Sequence, residues 1–215
     1  MSTLRLLLIR HGQTDSNAAG RTQGRREVAL NARGRTQAAA VAERVRGLRP
    51  SALYASPASR AQQTAGAIAT ACGLAIVTDA RLAEVDHGEL DGLTGEEMRA
   101  RHPDFLQRWR DDDPATLRIP GGESMGEAQL RMRAAIAAID DATAAHEAGA
   151  DADRVVAVVS HNLALHALLC HALGVPLRAF RQFRVDLASL SIAELRADDR
   201  WAVVQLNEQC HLPED

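Results

Sequence analysis

Three short stretches of this chain gather residue types suited to phosphate chemistry: Arg10-His11-Gly12, Ser56 to Arg60, and Ser160-His161. Two arginines offer permanently charged, planar donors that match phosphate oxygens two at a time. Two histidines add ring nitrogens that titrate near neutral pH. A pocket holding all four side chains would be cationic, and its obvious guest is a phosphate dianion. One acidic cluster, Glu84, Asp86, Glu89 and Asp91, lies near a fourth predicted turn. No tripeptide suffices alone, since this composition produces Arg-His-Gly by chance in about one such chain in fifteen. The reading depends on the elements that would bring the stretches together.

Those elements are legible as strands followed by helices. Leu4 to Ile9 is a short apolar run that reads as a buried parallel strand ending on Arg10. A polar loop over about 12–30 follows, then a helix capped by Asn31 and running to about Leu48, with Ala38, Val41, Ala42 and Val45 inward. Residues 52–55 form a short strand. Ser56 as N-cap and Pro57 at the first position predict a helix to about Ala71, with Arg60 in its first turn. Residues 74–78 read as a third strand.

From about 87 to 122 helices are short, and Gly, Pro and acidic residues are frequent. This reads as a mostly helical cap insertion that could cover a site. It contains a capping box at Thr94–Glu97 and a helix opened by Pro103. A second box, Ser124–Glu127, starts a long helix to about Ala148, with Leu130, Ile136 and Ile139 expected inward. After a polar loop at 149–153, Val155 to Val159 is the clearest buried strand and ends on Ser160-His161-Asn162. A helix over 163–173 and a hairpin of Ser189–Leu195 with Trp201–Leu206 complete the chain. The expected fold is α/β: a three-layer sandwich with a mainly parallel mixed sheet between helices, one domain over 1–215. Strand ends distant in sequence can meet at one crevice of such a sheet.

Composition narrows the function classes. Net charge is −3, so no global field points to nucleic acid or to a membrane surface. All 25 basic residues are arginine, which excludes lysine Schiff bases and a P-loop. No apolar run is long enough to span a bilayer, and Leu4–Ile9 is too short for a secretory leader, so a cytoplasmic protein is expected. Cys72, Cys170 and Cys210 are scattered and odd in number, and read as small buried hydrophobes; no metal site is expected.

The stretches together resemble the histidine phosphatase superfamily, also called phosphoglycerate-mutase-like. The matching residues begin with Arg10-His11-Gly12-Gln13-Thr14-Asp15-Ser16-Asn17 and Arg21-Thr22-Gln23-Gly24, then run through Leu30 to Ala38. Ser56-Pro57-Ala58-Ser59-Arg60 resembles the family's second-arginine motif, and Leu82 to Gly92 its acidic motif. Pro120-Gly121-Gly122-Glu123-Ser124 and Val159-Ser160-His161 complete the set, in family order over residues 4 to about 170.

The resemblance implies roles. His11 matches the nucleophile that becomes phosphohistidine. Arg10, Arg60 and His161 match cationic donors to the phosphoryl oxygens, and Asn17 a neutral one. Glu84 matches the acid that protonates the leaving oxygen and then activates water, with Asp86, Glu89 and Asp91 as alternatives. No metal or other cofactor is implied, because the arginines supply the positive charge. Gln23 and Gly24 either touch substrate or form a turn. Phe105 and Trp109 either line the substrate pocket or pack among cap helices. Asp111-Asp112-Asp113 reads as a solvated loop, and His166 and His171 need no function. Two departures stand out: Asn162 replaces the usual glycine after the second histidine and could contact substrate, and Glu27-Val28-Ala29-Leu30 lacks the usual D-x-P-L.

The function expected is a metal-independent phosphomonoester hydrolase acting on small phosphorylated metabolites. A phosphoglycerate mutase is the alternative, although the resemblance implies longer chains and a substrate-holding lysine for mutases, and this chain has none. A non-catalytic phospho-ligand-binding protein is a third reading, opposed by the intact His11, Glu84 and His161 set. No macromolecular partner is implied; a homodimer stays open.

Overall fold

The computed structural model describes residues 3–146 and 154–213. A six-stranded sheet has the order β3-β2-β4-β1-β5-β6. Its strands are β1 (Thr3–Arg10), β2 (Ala52–Ala55), β3 (Ile76–Thr78), β4 (Arg154–Ser160), β5 (Leu190–Arg196) and β6 (Trp201–Glu208). The first four are mutually parallel where they pair, and β5 runs antiparallel to both β1 and β6. The helices are α1 (Asp15–Ala18), α2 (Ala32–Arg46), α3 (Ser59–Cys72), α4 (Gly95–Arg101), α5 (Pro103–Asp111), α6 (Met125–His146) and α7 (Asn162–Ala172). Among the described residues, no helix is long and apolar enough to cross a membrane.

The central strand β1 is buried on both faces, which explains its unbroken apolar run. Leu4, Leu6 and Leu8 pack with Val156 and Val158 against Met132, Ile136 and Ile139 of α6 and Leu165 and Leu168 of α7. Leu7 and Ile9 point the other way, against Val41 and Val45 of α2 and Ala65 and Ile68 of α3. Strand alternation thus builds the three layers.

Register decides where the chemistry sits. Arg10 of β1 aligns with Ser160 of β4, and Ala55 of β2 aligns with Val159. The amide of His11 donates to Ser160 O at 3.1 Å, and that of Ser56 to Val159 O at 3.0 Å. Three strand ends therefore finish side by side. Gly12 lets α2 come close: a Cβ there would stand 2.5 Å from Gly34 O, and one on Gly34 only 2.0 Å from Gln13 O.

The segment between β3 and α6 leaves and rejoins the core through a backbone clasp. Glu89 N donates to Pro120 O at 2.9 Å, and Glu123 N to Asp86 O at 3.0 Å. Side chains are excluded where the two runs cross, since a Cβ on Gly88 would lie 2.2 Å from Pro120 O and one on Gly122 2.2 Å from Asp86 O. Beyond the clasp, Leu90, Phe105, Leu117 and Ile119 form a small apolar cluster closed by Ala128 of α6. Phe105 stacks near Trp109 (5.7 Å between ring centres), and Trp109 meets Phe180 at 6.0 Å, so these aromatics serve packing.

Several sequence expectations are corrected. The polar loop after β1 contains the short helix α1, boxed by Thr14 and Asn17. α3 begins at Ser59, not beside Ser56, and Ala58 precedes it with no side-chain cap. The Ser56 hydroxyl is engaged by His161 instead, at 2.7 Å. Leu130 is 65% exposed, because α6 buries the stripe Ala128, Met132, Ala135, Ile136 and Ile139, and residue 130 lies on the opposite side. Cys170 is buried, but Cys72 is half-buried and Cys210 exposed. Asn31 does cap α2, accepting from Gly34 N at 2.9 Å, and both capping boxes form. The predicted loop 149–153 and the end of the long helix at Ala148 lie outside the described residues.

Candidate active site

His11 follows directly on β1. Its Nδ1 lies 2.8 Å from Gly12 O. A carbonyl only accepts, so Nδ1 carries the proton and Nε2 keeps its lone pair. Burial, then the nearby Arg10 and Arg60 cations, push the His11 pKa well below its ordinary value. The ring is therefore neutral near pH 7.

His161 ends β4 and leads into α7, with its ring centre 5.1 Å from that of His11. Arg60 Nε donates to its Nδ1 at 3.2 Å, so its Nε2 bears the proton and donates to Ser56 Oγ at 2.7 Å. Burial, then His11 and the arginines Arg60, Arg10 and Arg131, push its pKa well below the ordinary value, so this ring is neutral as well.

Arg60 is fully buried. Its Nη2 donates to Gly24 O at 2.8 Å and its Nη1 to Arg26 O at 3.0 Å. Three of its five N–H groups are thereby committed to protein atoms. Arg10 donates through Nη1 to Val185 O at 2.7 Å and to Asn162 Oδ1 at 3.4 Å. Its Nε is buried without a partner. Burial lowers the pKa of both guanidiniums, against the raising effect of Glu84 on each.

Glu84 is buried at the start of α7. Oε1 accepts from Val85 N at 2.8 Å and Ala164 N at 3.0 Å, and Oε2 from Leu163 N at 3.2 Å. These amides belong partly to the first turn of the helix, where the backbone dipoles favour an acidic group. The backbone of 81–84 is itself held by Arg131 of α6, which donates to Arg81 O, Ala83 O and Glu84 O at 2.7, 2.6 and 3.0 Å and pairs with Glu123 at 2.7 Å.

These residues border a cavity of about 300 Å³. Arg10, His11, Asn17, Gln23, Glu84 and Asn162 line it, together with His87, Leu163 and residues 20–22. The Thr14 hydroxyl lies 2.8 Å from Gln23 Oε1, while Gln23 Nε2 is buried and unpartnered. Arg60 and His161 sit behind this wall. Gly24 does not line it either: its carbonyl holds Arg60, and its amide donates to Asp91 at 2.9 Å. Asp91 also accepts from Arg25 N and Arg26 N at 3.0 and 3.1 Å, so it braces the loop. Asp86 accepts from Gly88 N at 2.9 Å, and Glu89 lies 4.0 Å from His102 with an exposed carboxylate. Of the acidic cluster, Glu84 alone lines the cavity.

Sequence reading missed Ser56 as a histidine partner, and also Arg131 and His87. The position of Ser56 beside a strand end was visible; its target was not. Arg131 is one arginine among many on a long helix and carries no positional signal. Among the described residues, no group of three or more His, Cys, Asp or Glu could hold a metal ion.

Comparison with known proteins finds relatives along nearly the whole chain. A family model described as the histidine phosphatase superfamily, branch 1, matches residues 6–209. The chain is 32% identical over 211 residues to phosphoserine phosphatase 1 of Hydrogenobacter thermophilus, covering 98% of this chain and 95% of that one. It is 38% identical over 218 residues to the probable phosphoglycerate mutase GpmB of Enterobacter sp. (strain 638), covering 97% and 95%. Among solved structures, a mycobacterial glucosyl-3-phosphoglycerate phosphatase in complex with VO3 superposes with a TM-score of 0.85 at 31% identity, over 96% of this chain and 100% of that one.

Proposed function

This chain belongs to the histidine phosphatase superfamily, and from that premise we propose that it hydrolyses small phosphomonoesters through a phosphohistidine on His11. The observation that carries the reading is the His11 ring: neutral, locked by Gly12 O, and presenting an unprotonated Nε2 at a cavity lined by donors. Two buried N–H donors on lining residues, Arg10 Nε and Gln23 Nε2, have no protein partner, and phosphoryl oxygens would satisfy both.

In the first step His11 Nε2 forms a bond to phosphorus as the ester P–O bond breaks. Glu84, as the carboxylic acid, gives its proton to the departing oxygen. In the second step Glu84 takes a proton from water, whose oxygen bonds to phosphorus as the P–N bond breaks, releasing phosphate. Arg10, Asn17, Gln23 and Asn162 hold the phosphoryl oxygens. Arg60 and His161 stand behind the lining, where the Arg60 cation acts through its field.

Similarity to phosphoserine and glucosyl-3-phosphoglycerate phosphatases supports hydrolysis. Similarity to GpmB supports a second reading, a mutase acting on phosphoglycerate. The absence of lysine weighs against it. Purified protein given p-nitrophenyl phosphate and quenched in alkali should show a ³¹P phosphohistidine signal, absent in His11→Ala together with turnover. Turnover retained by His11→Ala rejects the assignment. Formation of 2-phosphoglycerate from 3-phosphoglycerate with 2,3-bisphosphoglycerate, faster than phosphate release, selects the mutase.

A further inference from the structure

The carbonyl that holds Arg10 belongs to the stretch before β5, residues 185–189, which touches Arg10 and His11 at three points. Val185 O accepts from Arg10 Nη1 at 2.7 Å, Ser189 O accepts from Arg10 N at 3.2 Å, and Ala188 N donates to His11 O at 3.2 Å. The guanidinium is tethered at Nη1, while its Nε is buried and unpartnered. The place of Val185 O therefore decides where that free donor points.

This stretch does not keep its shape unaided. Ala188 is buried at φ +54°, in the left-handed region that a residue with a Cβ seldom adopts, and such a conformation lasts only where neighbours enforce it. The neighbours come from a later segment, residues 207–211. Asn207 and Asp186 exchange two hydrogen bonds: Asp186 N donates to Asn207 Oδ1 at 2.7 Å, and Asn207 Nδ2 donates to Asp186 Oδ2 at 2.8 Å. A reciprocal pair cannot slide without losing both bonds. His211 Nε2 donates to Ala188 O at 2.9 Å. Between these two contacts, buried Glu208 accepts from Arg44 of α2 at 2.6 and 2.9 Å, which ties the segment to the helix layer. Asp186 also contributes its charge, which favours the cationic form of Arg10.

We propose that Asn207 and His211, neither of which borders the His11 cavity, are positioning residues for it. Asn207, through Asp186 and Val185, aims Arg10 Nε at the phosphoryl group, and His211 keeps Ala188 against His11. The proposal rests on the reading of that cavity as a phosphoryl site.

The test reads orthovanadate binding to the purified full chain by calorimetry, because vanadate presents phosphate-like oxygens and its binding needs no turnover. Asn207→Gly is the informative change: Asn207 itself sits at φ +53°, where glycine fits without strain, so only the side-chain bonds are lost. It should weaken vanadate binding by about tenfold, the scale of one misplaced charge-assisted contact. In the Arg10→Gln background the same change should cost less than about twofold, because the group it positions is gone. A residue that merely stabilises the fold would give the same factor in both backgrounds. His211→Ala should cost about fivefold, and His211→Gln, whose amide nitrogen reaches the same carbonyl, should return to within about twofold of wild type. Unchanged binding in Asn207→Gly, or equal factors in the two backgrounds, overturns the proposal. If that variant does not fold, His211→Gln no better than His211→Ala, or no loss in either, overturns it. Wild type that binds vanadate but hydrolyses no ester removes the hydrolase reading and leaves these comparisons to decide the proposal; wild type that binds no vanadate removes both.

Discussion

His11 and His161 are buried next to two guanidiniums and are both held neutral in the folded chain. In the unfolded chain each would titrate near its ordinary value of about 6.5. Below that pH the unfolded state binds more protons than the folded state, so stability is full above about pH 7 and is lost as pH falls. The slope is about 1.4 kcal/mol per pH unit for each histidine until its folded value is reached. Thermal melts between pH 8 and 5 should show Tm flat at the high end and falling below about 6.5, more shallowly in His11→Asn; a Tm unchanged down to pH 5 would contradict the burial argument. Activity follows the same logic, since a neutral nucleophile needs no deprotonation and should persist below pH 6.5. Glu84 is tested through leaving groups: Glu84→Gln should lose most on alkyl phosphates and least on p-nitrophenyl phosphate, whose phenolate leaves without a proton. Equal losses on both would assign the proton to another group. At this scale the sequence was informative where a residue ends a strand, as Arg10, His11 and His161 do. It was uninformative for Ser56, whose partner lies 105 positions away, and for Arg131, whose carbonyl partners lie 47 to 50 positions away.

Among the elements, the loop after α1 and the segment after Gly88 act together. Asp91 collects the amides of Gly24, Arg25 and Arg26, and the carbonyls of Gly24 and Arg26 hold the guanidinium of Arg60. Asp91→Ala should therefore lower kcat by about tenfold, less than the ~10²–10³ expected for deleting a stabilising donor outright. It should also speed hydrogen exchange at the 24–26 amides. Unchanged exchange together with unchanged kcat would show that the brace does nothing for Arg60. Capping boxes and apolar strands were legible because their signals are local: Thr94 with Glu97, Ser124 with Glu127, and the run from Leu4 to Ile9. The start of α3 was misread because a serine before proline is a good cap only when nothing else claims its hydroxyl, and His161 does. Leu130 was misassigned because apolarity alone does not tell which side of α6 faces the sheet.

For the whole molecule, strand order was beyond the sequence. Nothing local says that β4, separated from β2 by about a hundred residues, inserts between β2 and β1. That insertion is what sets His161 against His11. The assembled site is rich in buried positive charge, which repels divalent cations, so exhaustive dialysis against EDTA should leave turnover within about twofold. A loss restored by Mg²⁺ would show that the arginines do not replace a metal. The glycine clasp at the base of the segment has one more consequence. Because the chain exits at Gly88 and returns at Gly122 where the two backbones leave no room for a side chain, residues 89–119 hang on one clasp as a cassette. Its length and lining can diverge between related chains, or be swapped by grafting, while the doorway stays the same shape. Residues 90–97 must travel with any replacement, since Leu90, Asp91, Gly92, Leu93 and Glu97 tie the cassette to the phosphate loop. New substrate ranges could arise by exchanging one module, with His11 and Glu84 left where they are.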